Sequence, residues 1–339
     1  MNKLTNINGF CLFSGSANRP LAEKMQQYLN RPDGQLVKRP LGNVTIDHFK
    51  DGEIWVKYDE NIRGATIAIV QPTMAPADNL LELLIMIDTA KRASAKTVIT
   101  IIPYFGYQRQ ERKTTSREAL SAKLVANLIT TAGADRVITM DLHSPAIQGF
   151  FDIPVDHIYA SKNLVPYWIK KQIPNLAIQS TDLGAAKMAR AWRNRLPQET
   201  GLILFDKTRD EHNKVRIVGM LSEPENFIFD GANTLAVDDI IDTAGTFLTD
   251  VDRLKEMRVN NTYGVFVHPT FAGSHYQEVY DRIEASPVSE ITVSDSIILQ
   301  GQPPKKIVQV SVADLLAEAA ERAFLNQSIS SLYQEKISR

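Results

Sequence analysis

Residues Leu235 to Thr246 have the sequence LAVDDIIDTAGT, and this stretch decides the fold that we expect. Its apolar start predicts a buried strand, which Asp238 and Asp239 follow directly. The small-residue turn after them leads into a helix, whose N-terminus presents backbone N–H groups and positive dipole to an anion. An ordinary helix cap of Asp and Thr would explain single residues here, but not the whole string. The stretch therefore predicts a phosphate cradle beside two carboxylates that would accept hydrogen bonds from vicinal sugar hydroxyls.

The same alternation of short apolar strands and helices continues on both sides of this stretch. Predicted strands in the two halves of the chain include 66–70, 98–102, 136–140, 202–205 and 264–267. Predicted helices include 79–95, 119–131, 183–195 and 312–324. Strands that alternate with helices indicate a parallel sheet with helices on both faces. We expect an α/β fold of two similar domains, each a mainly parallel sheet flanked by helices, with boundaries at 8–157 and 158–325 and a tail at 326–339.

Composition argues against several classes of protein. The 339 residues include 38 Lys and Arg against 39 Asp and Glu, a net charge of −1. A general affinity for nucleic acid or anionic membrane is therefore not expected. No apolar run approaches the roughly 20 residues that cross a bilayer, and the first residues lack the apolar core of a signal peptide. Together with a single cysteine, Cys11, these features predict a cytoplasmic protein without nucleic-acid or membrane partners.

The stretch from Val237 to Thr246 resembles the phosphoribosyl pyrophosphate loop of type I phosphoribosyltransferases and their relatives. The resemblance implies two domains of that fold and recognition of ribose 5-phosphate. It places Asp238 and Asp239 on the ribose hydroxyls. The 5-phosphate would be held by the loop residues Asp242, Thr243, Ala244, Gly245 and Thr246.

Three further segments narrow the resemblance to the ribose-phosphate pyrophosphokinases. They are FKDGE at 49–53, YFGYQRQERK at 104–113, and DLHS at 141–144 with the IQGFFDIPVD that starts at Ile147. The resemblance covers the chain from Leu12 to about Tyr333. Ordinary phosphoribosyltransferases lack these segments in this order, which makes the combination specific.

This resemblance implies an ATP site in the first half of the chain. Phe49 would stack on adenine, and Asp51 and Glu53 would read its amino edge. Arg109 and Gln110 would bind ATP through a guanidinium and a neutral amide.

Each of these assignments has a simpler alternative. Phe49 has a competing explanation as a core residue. The basic run that contains Arg109 would by default be a solvated turn.

The resemblance also implies a Mg²⁺–ATP site that His143 and Asp182 share. Mg²⁺ normally prefers oxygen ligands, so the imidazole is the less usual partner. Asp182 lies in STDLGAAK, residues 180–187, which is similar to the pyrophosphate loop of the family. Thr181 and Ala185 depart from the family pattern of proline and glycine. Alanine would fit if its position does not require a positive φ.

Lys207 and Arg209 follow the predicted strand 202–205 and match the family's mobile catalytic loop. The resemblance implies that these cations close over the triphosphate and neutralise charge in the transition state. A surface loop of mixed charge is the alternative from composition alone.

The family's reaction is the transfer of a pyrophosphoryl group from ATP to ribose 5-phosphate. Its common assembly is a homo-hexamer, with phosphate and ADP as effectors. One rival is a phosphoribosyltransferase that consumes the product, and another is a synthetase-like regulatory subunit without catalysis. The Arg109-Gln110 segment and the loop of Lys207 and Arg209 argue against the phosphoribosyltransferase. The regulatory subunit is opposed by Lys207, Arg209, His143, Asp182 and the ribose-phosphate loop, while the departures at Thr181 and Ala185 keep it open.

Overall fold

A computed structural model describes residues 9–181, 184–197, 200–209, 215–225 and 227–333. It divides the chain into two compact units. The described residues of unit 1 fall within Met1–Ala160, Ser296–Ile298 and Ser311–Arg339, and those of unit 2 within Ser161–Asp295 and Leu299–Val310.

Unit 1 is built on a five-stranded parallel sheet and a separate antiparallel hairpin. The strands are β1 (Phe10–Ser14), β2 (Val44–His48), β3 (Ile54–Tyr58), β4 (Thr66–Val70), β5 (Thr97–Ile102), β6 (Arg136–Met140) and β7 (Val155–Ile158). The helices of the first 160 residues are α1 (Arg19–Leu29), α2 (Asp78–Arg92) and α3 (Ser121–Ala132), with a 3-10 helix at Pro145–Phe150. The order in the sheet is β1-β4-β5-β6-β7, and β2 pairs with β3.

The core of unit 1 lies where these helices cover the sheet. Strands β4, β5 and β6 are almost wholly buried and are rich in Ile and Val. Such continuous apolar strands are typical of a parallel sheet with both faces covered. Helix α3 ends at Gly133, whose φ of 110° is the left-handed conformation that glycine adopts without strain.

Unit 2 has a seven-stranded sheet. Its strands are β8 (Leu176–Ser180), β9 (Gly201–Arg209), β10 (Val215–Glu223), β11 (Asn233–Ile241), β12 (Asn261–Pro269), β13 (Glu290–Ser294) and β14 (Ile307–Val310). Its helices are α4 (Ser161–Lys170), α5 (Ala186–Arg193), α6 (Gly245–Glu256) and α7 (Tyr276–Ala285), with a 3-10 helix at Gly273–His275. The order is β10-β9-β8-β11-β12-β13-β14, and every pair is parallel except β9 with β10.

The last helix, α8 (Ala313–Phe324), and a 3-10 helix at Ser330–Tyr333 belong to unit 1. The expected boundaries instead placed residues up to 325 in the second domain. Helix α8 packs against α1, where Arg31 donates to Glu318 at 3.0 Å and to Glu321 at 2.7 Å. These contacts explain why the end of the chain groups with its beginning.

The α/β class with two mainly parallel sheets is confirmed, whereas two predicted strands were too short. Strand β11 runs through Asp238 and Asp239, because it pairs with β12 as far as Ile241. Strand β9 runs to Arg209, because it pairs with β10 beyond Phe205. In the described part of the chain, each helix is too short or too polar to cross a membrane.

Candidate functional site

Strand β11, between β8 and β12 in the sheet of unit 2, carries the two adjacent carboxylates. Asp238 is half-buried and Asp239 is buried. The Asp238 Oδ1 atom accepts the backbone N–H of Asp239 at 2.9 Å, and its Oδ2 accepts the hydroxyl of Thr181, just after β8. The Asp238 carboxylate is therefore oriented by the fold and linked to the neighbouring loop.

The loop after β11 forms a cradle at the start of α6. Ala244, which precedes the helix, has a φ of 59° and a ψ of 2°, and no side-chain hydrogen bond caps α6 among the described residues. The N–H of Gly245, the first residue of α6, makes a long hydrogen bond of 3.4 Å to Thr243 Oγ1. An uncapped N-terminus can direct backbone N–H groups and positive dipole at an anion.

Among the residues of this loop, Ala244 rather than Gly245 adopts the left-handed conformation. A Cβ built on Gly245 would meet no atom nearer than Thr243 Oγ1 at 3.5 Å. A Cβ at Gly245 would therefore stand in ordinary van der Waals contact with Thr243 and Arg282, and the expected contact of Gly245 with a phosphate stays a prediction.

Asp242 holds this loop against the turn that follows β12. Its Oδ1 atom accepts the backbone N–H of Ala272 at 3.0 Å and the hydroxyl of Thr270 at 3.2 Å. Phe271 and Ala272 have φ values of 43° and 56°, a strained conformation for residues with a side chain. The carboxylate of Asp242 thus organises the cradle, while its expected contact with a phosphate stays a prediction.

Arg282 is a cation at the cradle that the sequence did not reveal. It lies on α7, and its Nη1 atom donates to the carbonyl of Thr243 at 3.1 Å. Its Nη2 atom is 3.7 Å from the position of a Cβ built on Gly245. No motif marks Arg282, because only the packing of α7 brings it to the loop.

Three expected residues of unit 2 are described only in part or not at all. The backbone of Lys207 and Arg209 lies in β9, opposite Ile217 and Val215 of β10, rather than in a loop. The structure does not describe their side chains. Asp182 lies outside the described residues.

The alanine that departs from the family's pyrophosphate loop fits its position. Ala185 has a φ of −76° and a ψ of −7° at the start of α5. An L-residue adopts this conformation without strain. The condition under which alanine would fit is therefore confirmed.

In unit 1, the segment of Phe49, Asp51 and Glu53 is the turn of the β2–β3 hairpin. The N–H of Phe49 donates to the carbonyl of Glu53 at 2.9 Å, and Asp51 Oδ1 accepts the N–H of Glu53 at 3.2 Å. Phe49 is 57% exposed, and both acids are exposed. This exposure rules out core packing as the reason for an aromatic residue at 49.

Arg109 and Gln110 lie in the loop that follows β5, and both are exposed. Gln110 Oε1 accepts the hydroxyl of Ser121 at 2.5 Å, and its carbonyl accepts the N–H of Ala122 at 3.3 Å. Gln110 is therefore anchored to the start of α3, and its amide nitrogen has no hydrogen-bond partner among the residues that the structure describes.

His143 lies after β6, two residues beyond Asp141, and is exposed. Asp141 is buried, and its Oδ2 atom accepts the N–H of Ala160 at 2.6 Å. The backbone N–H of His143 donates to Gln108 Oε1 at 2.9 Å. His143 is thus exposed at the end of this segment, whereas the carboxylate of Asp141 is buried and accepts a hydrogen bond within the fold.

The basic segment that follows Arg109 and Gln110 ends in a short turn before α3. The backbone N–H and hydroxyl of Thr115, followed by those of Thr114, hydrogen-bond to Glu118 and lower its pKa to about 2. Glu118 therefore stays ionised at neutral pH and keeps the turn closed.

The described residues contain no cluster of three or more His, Cys, Asp or Glu side chains that could hold a metal. Mg²⁺ is often held by one or two protein carboxylates together with oxygens of substrate phosphates. A complete cluster of protein ligands is therefore not required, and an exposed His143 with one carboxylate would be a partial set.

Family models match most of the chain. The N-terminal domain of ribose phosphate pyrophosphokinase matches residues 10–133, and the phosphoribosyl synthetase-associated domain matches residues 223–334.

Whole proteins match over nearly the full length. The chain is 41% identical to a ribose-phosphate pyrophosphokinase of Chlorobaculum tepidum over 326 residues, which cover 96% of this chain and 95% of the relative. It is 40% identical over 328 residues to the ribose-phosphate pyrophosphokinase of Wolinella succinogenes, which covers 96% of this chain and 100% of the relative. A crystal structure of phosphoribosylpyrophosphate synthetase from Mycobacterium smegmatis matches with a TM-score of 0.81 and 33% identity, covering 94% of this chain and 100% of that one.

Proposed function

Because the chain belongs to the ribose-phosphate pyrophosphokinase family, we propose that it transfers the β,γ-pyrophosphoryl group of Mg²⁺–ATP to the anomeric hydroxyl of ribose 5-phosphate. The products are 5-phosphoribosyl 1-pyrophosphate, used in nucleotide biosynthesis, and AMP. The observation that carries this function is the pair of carboxylates on β11, followed at once by an uncapped helix N-terminus.

Unit 2 would bind the acceptor sugar. The start of α6, with Thr243 and Thr246, would hold the 5-phosphate through N–H groups and hydroxyls. Asp238 and Asp239 would accept hydrogen bonds from the two ribose hydroxyls. Arg282 adds a positive charge beside this loop. This surface would select a sugar phosphate from other ligands, because it would bind a phosphate and two neighbouring hydroxyls at a fixed separation.

Unit 1 would bind the nucleotide. The exposed ring of Phe49 offers a surface on which adenine can stack, and Asp51 and Glu53 offer acceptors for its amino group. Arg109 would bind phosphate oxygens through its planar guanidinium. Gln110 would donate through the amide nitrogen that Ser121 leaves available.

The chemistry is a displacement at the β-phosphorus, in which the anomeric oxygen attacks and AMP leaves. The O–P bond to the sugar forms as the bond between the β-phosphorus and the α-phosphate oxygen breaks. Such a reaction depends mainly on positioning and on neutralising charge. Lys207 and Arg209 would supply fixed positive charge at the triphosphate.

By the resemblance, His143 and Asp182 would each contribute to binding Mg²⁺ beside phosphate oxygens of ATP. Of the two, His143 is described and is exposed, and one or two carboxylates are the usual protein contribution to a Mg²⁺ site. When bound, Mg²⁺ would offset negative charge on the triphosphate.

The function is tested by measuring AMP formed from ATP, with and without ribose 5-phosphate and Mg²⁺. We expect AMP only with both present, and its loss in Lys207→Ala. Lys255→Ala on the exposed side of α6 is the matched control and should retain activity. A folded wild-type protein that binds both substrates but forms no AMP, with or without phosphate, would favour the non-catalytic regulatory subunit.

The resemblance further suggests a cytoplasmic homo-oligomer, of hexamer size, with phosphate and ADP as effectors. Light scattering during size-exclusion chromatography measures the mass, and AMP formation at graded phosphate and ADP measures control. A monomer with full activity, insensitive to both effectors, would contradict this part of the proposal without affecting the reaction.

A further inference from the structure

Gln108 is a buried residue within an otherwise exposed loop. Its neighbours Tyr107 and Arg109 are exposed, whereas the side chain of Gln108 is 0% exposed. Tyr107 has a φ of 65°, and its carbonyl accepts the N–H of Gln110 at 2.9 Å. The loop therefore turns sharply at this point and inserts one side chain into unit 1, while the residues on both sides remain accessible.

The inserted amide joins two segments that are distant in sequence. Gln108 Oε1 accepts the backbone N–H of His143 at 2.9 Å. Because a backbone N–H can only donate, the oxygen of this amide must face His143, which fixes the orientation of the whole group. Gln108 thus connects the loop of Arg109 and Gln110 to the loop of His143 through a single side chain.

The other end of this amide is unsatisfied. Within the described part of the chain, Gln108 Nε2 is buried and has no hydrogen-bond partner. A buried donor without a partner is destabilising, and such groups are uncommon in folded proteins. An apolar side chain of the same size would fill this space without that penalty. Packing alone therefore does not account for a glutamine here, whereas the bond to His143 does.

We propose that Gln108 is a positioning residue for the nucleotide: it holds the backbone of His143 at a fixed spacing from Arg109 and Gln110. This inference rests on the proposed assignment of these three residues to ATP. Arg109 and Gln110 are exposed on one loop and His143 is exposed on the other, and a triphosphate needs all three in one arrangement. This hydrogen bond, called the tether below, holds the two loops in a fixed arrangement before ATP binds. Less conformational entropy is then lost on binding.

Gln108→Met tests the tether, because methionine is also unbranched and similar in size but its thioether is only a weak acceptor for the N–H of His143. Gln26→Met is the matched control. Gln26 is a buried glutamine of α1 in unit 1, and its Nε2 atom donates to the carbonyl of Arg39 at 3.0 Å. Gln108→Ala serves as a second variant that also removes the acceptor, in case methionine does not fit. The KM for each substrate, kcat and the melting temperature are measured for each variant.

We expect Gln108→Met and Gln108→Ala to raise the KM for ATP about tenfold, equivalent to about 1.4 kcal/mol of positioning lost with one hydrogen bond. The KM for ribose 5-phosphate should stay unchanged, because its proposed residues lie in unit 2. Gln26→Met should alter the melting temperature alone.

A normal KM for ATP in a folded Gln108 variant overturns the proposal. So does a rise in both KM values that follows the loss of thermal stability. Arg109→Ala with a normal KM for ATP would overturn instead the ATP assignment on which the inference rests, so the two failures are distinguishable.

Discussion

Asp242→Ala is expected to weaken the binding of ribose 5-phosphate, although a carboxylate near a phosphate would normally oppose it. The structure gives the reason, because Asp242 accepts hydrogen bonds from Ala272 and Thr270 and so holds the turn after β12 against the cradle. The substitution leaves this turn without its anchor. The cradle then loses its fixed shape before any phosphate contact is considered.

The size of the effect follows from the two hydrogen bonds. A hydrogen bond to a charged group contributes roughly 1.5–3 kcal/mol when well buried. Asp242 is only half-buried, so we expect a combined loss of about 2–3 kcal/mol in the free energy of unfolding, below the sum of two buried bonds. The turn also contains Phe271 and Ala272 in left-handed conformations, each unfavourable by about 1–2 kcal/mol. Without the anchor this turn is expected to relax.

The measurement is the dissociation constant of ribose 5-phosphate by calorimetric titration, together with thermal unfolding. If about half of this lost free energy appears as weaker binding of ribose 5-phosphate, the dissociation constant rises about tenfold, since about 1.4 kcal/mol is a factor of ten. Asp242→Asn keeps an oxygen acceptor and should stay within about threefold of wild type. Asp252→Ala, on the exposed side of α6, is the control for loss of a negative charge.

Tighter binding by Asp242→Ala would refute this reasoning. That result would mean that the carboxylate faces the phosphate and repels it, and that the bonds to Ala272 and Thr270 contribute little. Equal losses in Asp242→Ala and Asp252→Ala would also refute it, because Asp252 lies on the exposed side of α6 and the loss would then not be specific to the anchor.

Two further substitutions test the same cradle. Arg282→Gln should raise the KM for ribose 5-phosphate about three- to tenfold while leaving that for ATP unchanged, and the difference from wild type should shrink at high salt, because a partly exposed charge is screened. A KM that does not respond at any ionic strength would remove Arg282 from the site. Ala244→Val should lower the free energy of unfolding by at least about 2 kcal/mol relative to Ala244→Gly, since a β-branched residue is strongly disfavoured at positive φ; equal melting curves for the two variants would contradict the left-handed turn.

Much of the candidate site was predictable because its signals are local. The segment from Asp238 to Thr246 comprises the carboxyl end of β11 and the loop that follows it, where ligands gather in open α/β sheets. The loops of Arg109 and His143 likewise follow β5 and β6. The alternation of strands and helices in the sequence is enough to predict that these segments follow strands.

Contacts between distant segments were not predictable. Arg282 reaches the cradle only because α7 packs beside it. Gln108 had no signal of its own, because its partner is a backbone N–H on another loop. The role of Asp242 as an anchor depends in the same way on the turn at Thr270.

The sequence by itself determined the α/β class, the order of the motifs and the family, since these depend on local periodicity and on short strings of residues. Only the tertiary structure decided where β9 and β11 end, which unit contains α8, and which polar groups are already satisfied within the protein. The physical reason is that a strand ends where its neighbour stops pairing with it. A side chain's role is likewise set by the donors and acceptors that folding brings within about 3 Å of it.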